Sequence, residues 1–250
     1  MLSRLKSSTG YFFLGSLVIF LVVQGLLSAG LLNNFWRGII FWGGAITMVA
    51  LGLNLIYGFN GQFSLGQYGF YAIGAYVSAD VTYRWVHGDP SALVVVFFGS
   101  LLVVGLYAAV SAFLNRFYGL TVMTRFLTYL LVTVLAFWVA VVVLVPVLGP
   151  VVLGTIGALP DAIEQQIVFF FALLGGAALA AIASYLFGIP VLELGSDYFG
   201  ISTLGFTIIV KVLLDNTDTI LPFPEMKGAR GMVGIPQWTT WPWVFLCLLF

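Results

Sequence analysis

The chain is 250 residues long, 62% hydrophobic and only 7% charged, with nine basic and nine acidic residues and a formal net charge of +0. A soluble domain carries about 25% charged residues, so a soluble enzyme or binding module is excluded, and the even charge leaves no basic face for nucleic acid. The lone Cys247 offers no disulfide framework, and the lone His87 has no neighbouring ligands to make a metal site with.

Residues 17–32, 38–59, 93–114, 126–159 and 167–189 contain no charged side chain. A bilayer core about 30 Å thick needs about 20 apolar residues per helical span. The expected fold is therefore all-α, a polytopic transmembrane helix bundle of about eight spans or part-spans. The first span is expected at 11–32. Arg4 and Lys6 precede it, which favours a cytoplasmic N-terminus, and its apolar run is too long for a signal peptide.

A second span is expected at 38–57, followed by a turn at 58–62 and a third, Gly-rich segment at 63–83. The fourth span is 91–114. A loop at 115–125 carries Arg116 and Arg125, which suits the cytoplasmic side, whereas Lys227 and Arg230 fall on the opposite side. Span five runs from Phe126 to Pro146 or Pro150. A connector holding Pro160, Asp161 and Glu164 leads to span six, 166–187, closed by Gly188 and Pro190. A seventh segment follows at 198–214. Residues 215–240 form the longest polar stretch. An eighth span begins near Trp241, with Trp238, Trp241 and Trp243 as an interfacial belt. Phe250 falls part-way through that span, so the C-terminal part is expected to be missing.

The most specific stretch is 52–76. Small residues recur at Gly66, Gly69, Ala72, Ala75 and Ala79, at spacings that share one helix face, and such a face lets a neighbouring backbone approach closely. Asn54, Asn60, Gln62, Ser64 and Gln67 would be costly against lipid. Two roles fit them: capping and joining helices, or lining a solute path. Asp197, Tyr198 and Thr203 near the start of the seventh segment carry the same two readings. An Asp at a helix start is favoured by the exposed amides there, and Lys211 is placed to snorkel toward the interface.

Leu53-Asn54-Leu55, then Gly-Gln-Phe-Ser-Leu-Gly at 61–66, then Gly74-Ala75-Tyr76, resembles the signature of the permease subunits of branched-chain amino acid ABC importers. Two further blocks follow in the family's order. Leu-Glu-Leu-Gly-Ser-Asp-Tyr-Phe-Gly-Ile-Ser-Thr-Leu-Gly-Phe at 192–206 is similar to its Asp-Tyr-Phe element. Gly-Ala-Arg-Gly-Met-Val-Gly-Ile-Pro at 228–236 is similar to its Gly-rich loop. The pattern is nearest to the second permease of such a pair. Ile208, Lys211, Glu193 and Gly195 depart from it, and 91–150 reads as an inserted helix pair.

The resemblance implies a translocation pathway for branched-chain amino acids or a related small polar solute, in a bacterial or archaeal plasma membrane. It implies a second permease subunit, cytoplasmic ATPase subunits and an extracytoplasmic substrate-binding protein as partners. The close-packing face at 66–79 is expected to meet the partner permease. No cofactor is expected, because ATP would be bound by the separate subunits. The chain itself has no Gly-x-x-x-x-Gly-Lys-Ser/Thr loop. The family's ATPase-docking segment would lie beyond Phe250. An intramembrane enzyme would need acid pairs, a His-Glu-x-x-His helix or a Ser/Lys dyad within the spans, none of which the sequence holds. A secondary transporter for a neutral or zwitterionic solute is the alternative. It would need a coupling carboxylate in a span, and only Asp80 stands near one.

Overall fold

The computed structural model describes residues 2–59, 61–116, 121–220 and 225–249, with the backbone alone at 2–10, 12 and 195–197. The architecture is all-α. Among the described residues, five helices are long and apolar enough to cross a bilayer: Asn34–Phe59, Ser91–Leu114, Val122–Ile156, Asp161–Leu194 and Tyr198–Asp215. Most large apolar side chains on them face outward, a surface suited to hydrocarbon rather than water.

Close packing divides the chain into two units, 1–54 with 239–250, and 55–238. The first holds α1 (Leu2–Ser28), α2 (Asn34–Asn54) and the C-terminal helix. α1 begins well before the expected span and stops at Gly30, whose φ of +68° a side chain would resist. Asn33 then starts α2 by accepting a hydrogen bond from Trp36 N (3.0 Å). The Trp241 indole donates to Phe20 O (3.2 Å), Phe20 and Phe245 stack at 4.9 Å, and Val244 lies against Gly44.

The larger unit opens with a π-helical turn, Leu55–Phe59, followed by non-helical chain at 61–66. Next come α3 (Gln67–Val86), α4 (Ser91–Leu114), α5 (Val122–Ile156), α6 (Asp161–Leu194) and α7 (Gly195–Asp215). Among the described residues of 216–238, the helical pieces are short: Thr217–Ile220 and a 3-10 turn, Gly228–Arg230. The final helix of the chain, in the smaller unit, is α8 (Trp241–Leu249).

Four expected boundaries move. Arg125 belongs to the first turn of α5, not to a loop, because Thr121 caps that helix by accepting from Thr124 N (3.3 Å). α5 continues through Pro146 and Pro150. A π-turn at Ala140–Leu144 widens the helix just ahead of Pro146, where the ring would otherwise strike the preceding turn. Asp161 and Glu164 form the first turn of α6 behind Pro160, an acidic start that the helix dipole favours. α6 also runs past Gly188 and Pro190, then tightens to a 3-10 turn at Leu192–Leu194 before α7.

The core of this unit lies between α3, α4 and α6. Val81, Trp85, Leu93, Val96, Val168 and Ala172 are buried together. A second cluster joins Val103 of α4, Ala136 of α5 and Ile182 of α6. α3 is thus an inner helix. It carries Asp80 and Arg84 and is not one of the five apolar spans.

Candidate functional site

Segment 61–66 is backbone without helical partners, and in an apolar surrounding such backbone needs others. α7 supplies them. Leu65 N donates to Thr203 Oγ1 (3.0 Å), and Thr207 Oγ1 donates to Leu65 O (2.8 Å). Thr203 Oγ1 also donates to Gly200 O (2.9 Å), and Gly66 N donates to Ser64 Oγ (3.3 Å). Ser64 and Thr203 are both buried. Thr203 and Thr207 lie near the middle of α7, so the broken segment sits level with the middle of a candidate span.

Close approach makes these bonds possible. A Cβ on Gly69 would come within 2.9 Å of the Phe206 ring and 3.3 Å of Thr207 Cα. One on Gly66 would reach 3.3 Å from Thr203, and one on Gly200 would reach 3.3 Å from Phe63 O. The first two sequence blocks therefore meet glycine to threonine. Beside them Phe70, Phe206 and Phe187 pack as an aromatic trio, with ring centres 4.6 and 4.4 Å apart along the chain of contacts.

The third block also lands on α3. Gly234, with φ +75°, lies where a Cβ would stand 3.2 Å from the Tyr83 ring. Gly228, with φ +58°, would put one 2.8 Å from Asp215 O and the Asp218 carboxylate. Val233 N donates to Glu225 O (3.3 Å), closing a loop around the single bridge between Met226 and Met232.

Glu225 is 1% exposed, which demands a partner for its charge, and Arg84 provides it at 3.2 Å. The same guanidinium holds Asp80 (3.0 Å) and Asp89 (3.3 Å). Burial works against the Arg84 charge, but the bond and charge of Asp80, with Glu225 and Asp89, outweigh it and raise the guanidinium above its ordinary value. Burial likewise pushes the Asp89 carboxyl up. Hydrogen bonds from Ser91 and the nearby Arg84 overcome that and hold it below the usual carboxylate range.

The sequence-derived candidates separate into groups. Ser64, Gly66, Gly69 and Thr203 come together in the α3–α7 contact. Gln62 and Gln67 flank it, half-buried. Asn54 closes α2 and is exposed, Tyr198 is exposed, Ala72 is half-buried and Ala75 is exposed. Asn60 and the side chain of Asp197 lie outside the described residues. Gly66 and Gly69 face the chain's own α7, whereas a partner subunit was the expected neighbour. Asp80 is ion-paired. Lys211 pairs with Asp215 one turn on, although it is 72% exposed as expected of a snorkelling side chain.

Three features escaped the sequence reading. Thr207 gave no signal beyond being a hydroxyl four residues after Thr203. Gly74 and Gly176 bring α3 and α6 into contact, with Ser78 Oγ donating to Ala172 O (2.9 Å). The spacing of Asp80 and Arg84, one helical turn, was the available clue to the ion cluster.

Among the described residues no group of His, Cys, Asp or Glu is arranged to hold a metal ion. The arrangement is a polar backbone break held between small residues and hydroxyls, which can offer hydrogen bonds.

No solved structure matches the chain. Two curated relatives do: the high-affinity branched-chain amino acid transport system permease proteins LivM of Escherichia coli strain K12 and of Salmonella typhimurium strain LT2. They are 28% and 27% identical over 190 residues, 76% of this chain. The match spans about a quarter of each relative's length, 25%. A family model described as branched-chain amino acid transport system, permease component, matches residues 35–173, more than half of the chain. That range runs from α2 into α6, so it takes in the first block, whereas the second and third blocks are tied to it by the contacts on α3. The chain belongs to the family of permease components of branched-chain amino acid transport systems.

Proposed function

We propose that the chain forms part of the membrane pathway of an ABC importer for branched-chain amino acids or a related small polar solute. The observation that supports this reading best is the non-helical segment 61–66, held level with the middle of α7 by Thr203 and Thr207. Interrupted helices supply free backbone dipoles where a solute must be met inside a bilayer. A zwitterionic amino acid needs such groups at both its ammonium and its carboxylate. The polar residues flanking the break, Gln62, Ser64 and Gln67, are the pathway candidates.

The chain does no chemistry of its own in this reading. ATP is hydrolysed by cytoplasmic partner subunits, a second permease completes the pathway and an extracytoplasmic binding protein delivers the solute. The N-terminus and the turn carrying Arg116 are cytoplasmic. The names of the two relatives and the family description support the transport class.

The test is uptake of labelled leucine into liposomes holding this chain with its partner subunits. ATP-dependent accumulation that falls with Thr203→Val, while the complex still assembles, is the expected result. Accumulation driven by a proton or sodium gradient without ATP would replace this reading by a secondary transporter.

A further inference from the structure

Where α4 ends and α5 begins, a cleft of about 230 Å³ opens against α6. Its polar lining is Arg125, Asn115, Tyr129 and Tyr185, and Leu114 and Ile189 form apolar walls. The mixture is unusual for this chain, because α4 has no charged residue and α5 only Arg125.

The two phenols are fixed in place. Tyr129 is 6% exposed and meets Tyr185 edge-on at 5.4 Å and Tyr107 at 4.9 Å. Tyr107 is anchored in turn by a hydroxyl bond with Thr133 (2.5 Å). Both tyrosines on the cleft therefore keep their rings in the helix packing, and Tyr185, 47% exposed, is the more open of the two.

Arg125 is exposed and forms no ion pair among the described residues. The sequence carries no acid between Asp89 and Asp161 to offer it one. Glu193 stands one turn past Ile189 and does not line the cleft. Arg116, next to Asn115, adds a second positive charge to the same turn. A guanidinium without an ion pair among the described residues, sharing a cleft with two tyrosines, matches a phosphate oxyanion, which accepts two parallel bonds from arginine.

The position supplies the second half of the argument. The cleft lies at the ends of apolar spans, the depth of lipid headgroups, and its walls are aliphatic. Basic pockets between helices at that depth suit anionic headgroups. We propose that this cleft binds the phosphate of an anionic membrane lipid, with Arg125 as the charge partner, Tyr185 and Asn115 as neutral hydrogen-bonding partners, and the glycerol backbone against Leu114 and Ile189.

The test uses the purified chain in neutral detergent, with unfolding followed by tryptophan fluorescence. Dioctanoyl phosphatidylglycerol should raise the unfolding midpoint saturably. Arg125→Gln should weaken that binding by about tenfold or more, the scale of one charge-assisted hydrogen-bonded pair. Tyr185→Phe should weaken it a few-fold, and Arg230→Gln should leave it unchanged. Dioctanoyl phosphatidylcholine and inorganic phosphate at equal concentration should give at most a small shift. Four results would overturn the proposal: unaltered phosphatidylglycerol binding by Arg125→Gln, an equal loss with Arg230→Gln, an equal effect of phosphatidylcholine, or an equal effect of inorganic phosphate. The last would make the cleft a site for a free anion.

Discussion

The α3–α7 contact and the α4–α5 hairpin meet the same difficulty, a backbone that departs from the α-helix in apolar surroundings, and they meet it differently. α5 carries Pro146 and Pro150 and stays continuous, because a π-turn in its own chain absorbs the misfit. α4 likewise contains a π-turn at Val94–Phe98 and needs no outside donor there. Segment 61–66 takes its partners from another helix, more than a hundred residues later in sequence. A self-contained helix serves as scaffold. A backbone that depends on its neighbour's hydroxyls changes when that neighbour moves, which suits the pathway role proposed for it.

The sharpest way to break this contrast is a bulky side chain at each close approach. Gly69→Leu drives atoms into the Phe206 ring and Thr207 backbone. It should cost ~3 kcal/mol or more, seen as loss of a monodisperse species and a large fall in unfolding midpoint in detergent. Gly105→Ala in α4, where nothing lies within 4 Å of the new Cβ, should be neutral or stabilise by about 0.5–1 kcal/mol. Equal effects at the two sites would erase the distinction.

A second comparison removes hydroxyls. Thr203→Val leaves Leu65 N without its acceptor in a part-buried setting and should cost about 1–2 kcal/mol. Thr133→Val in α5 loses one bond to Tyr107 and should cost about 1 kcal/mol. Thermal unfolding of the two variants side by side decides whether the outside hydroxyls matter more.

Acid should act on the hairpin only at its start, where Asp89 accepts from Ser91 N at the head of α4, since α4 and α5 themselves hold no carboxylate. Asp89 is held below its ordinary range in the folded chain, so the unfolded chain binds its proton more readily. Its contribution is therefore full above the ordinary carboxylate value and is lost as pH falls through the lower folded value. The unfolding midpoint should be flat from about pH 7 to pH 5 with respect to this group and decline below about pH 4. Asp89→Asn should flatten part of that decline. The effect should be small, because the side chain is 43% exposed. An unchanged acid slope in the variant would remove Asp89 from the account.

Hydropathy alone placed the helices, because a span must be apolar along about 20 residues whatever its neighbours. It placed their ends poorly at Pro146, Pro150, Gly188 and Pro190. There the local rule that proline and glycine stop a helix lost to π-turns and to tertiary packing, neither of which is written in nearby residues. The small-residue rhythm correctly marked Gly66 and Gly69 as close-packing positions, but spacing carries no information about which helix approaches. Ala75 shares that rhythm and is exposed. The pairing of Glu225 with Arg84 was hidden for the same reason, since 141 residues separate them.

The central position of α3 has a consequence for how the protein is made. Its two charged residues and modest hydropathy make it a poor guest for lipid on its own. Trp85 and Ser78 of α3 bond to α6, 79 and 94 residues further along, and Leu65, just ahead of α3, bonds to α7 at 138 and 142 residues. A ribosome must therefore deliver the polypeptide beyond Thr207 before α3 and the segment ahead of it have all their neighbours, α4 being the first to arrive. Until then it must wait at the insertion machinery or at the membrane surface. Premature termination within α6 would strand α3 with its glycine faces open, a state for quality-control proteases rather than for the bilayer.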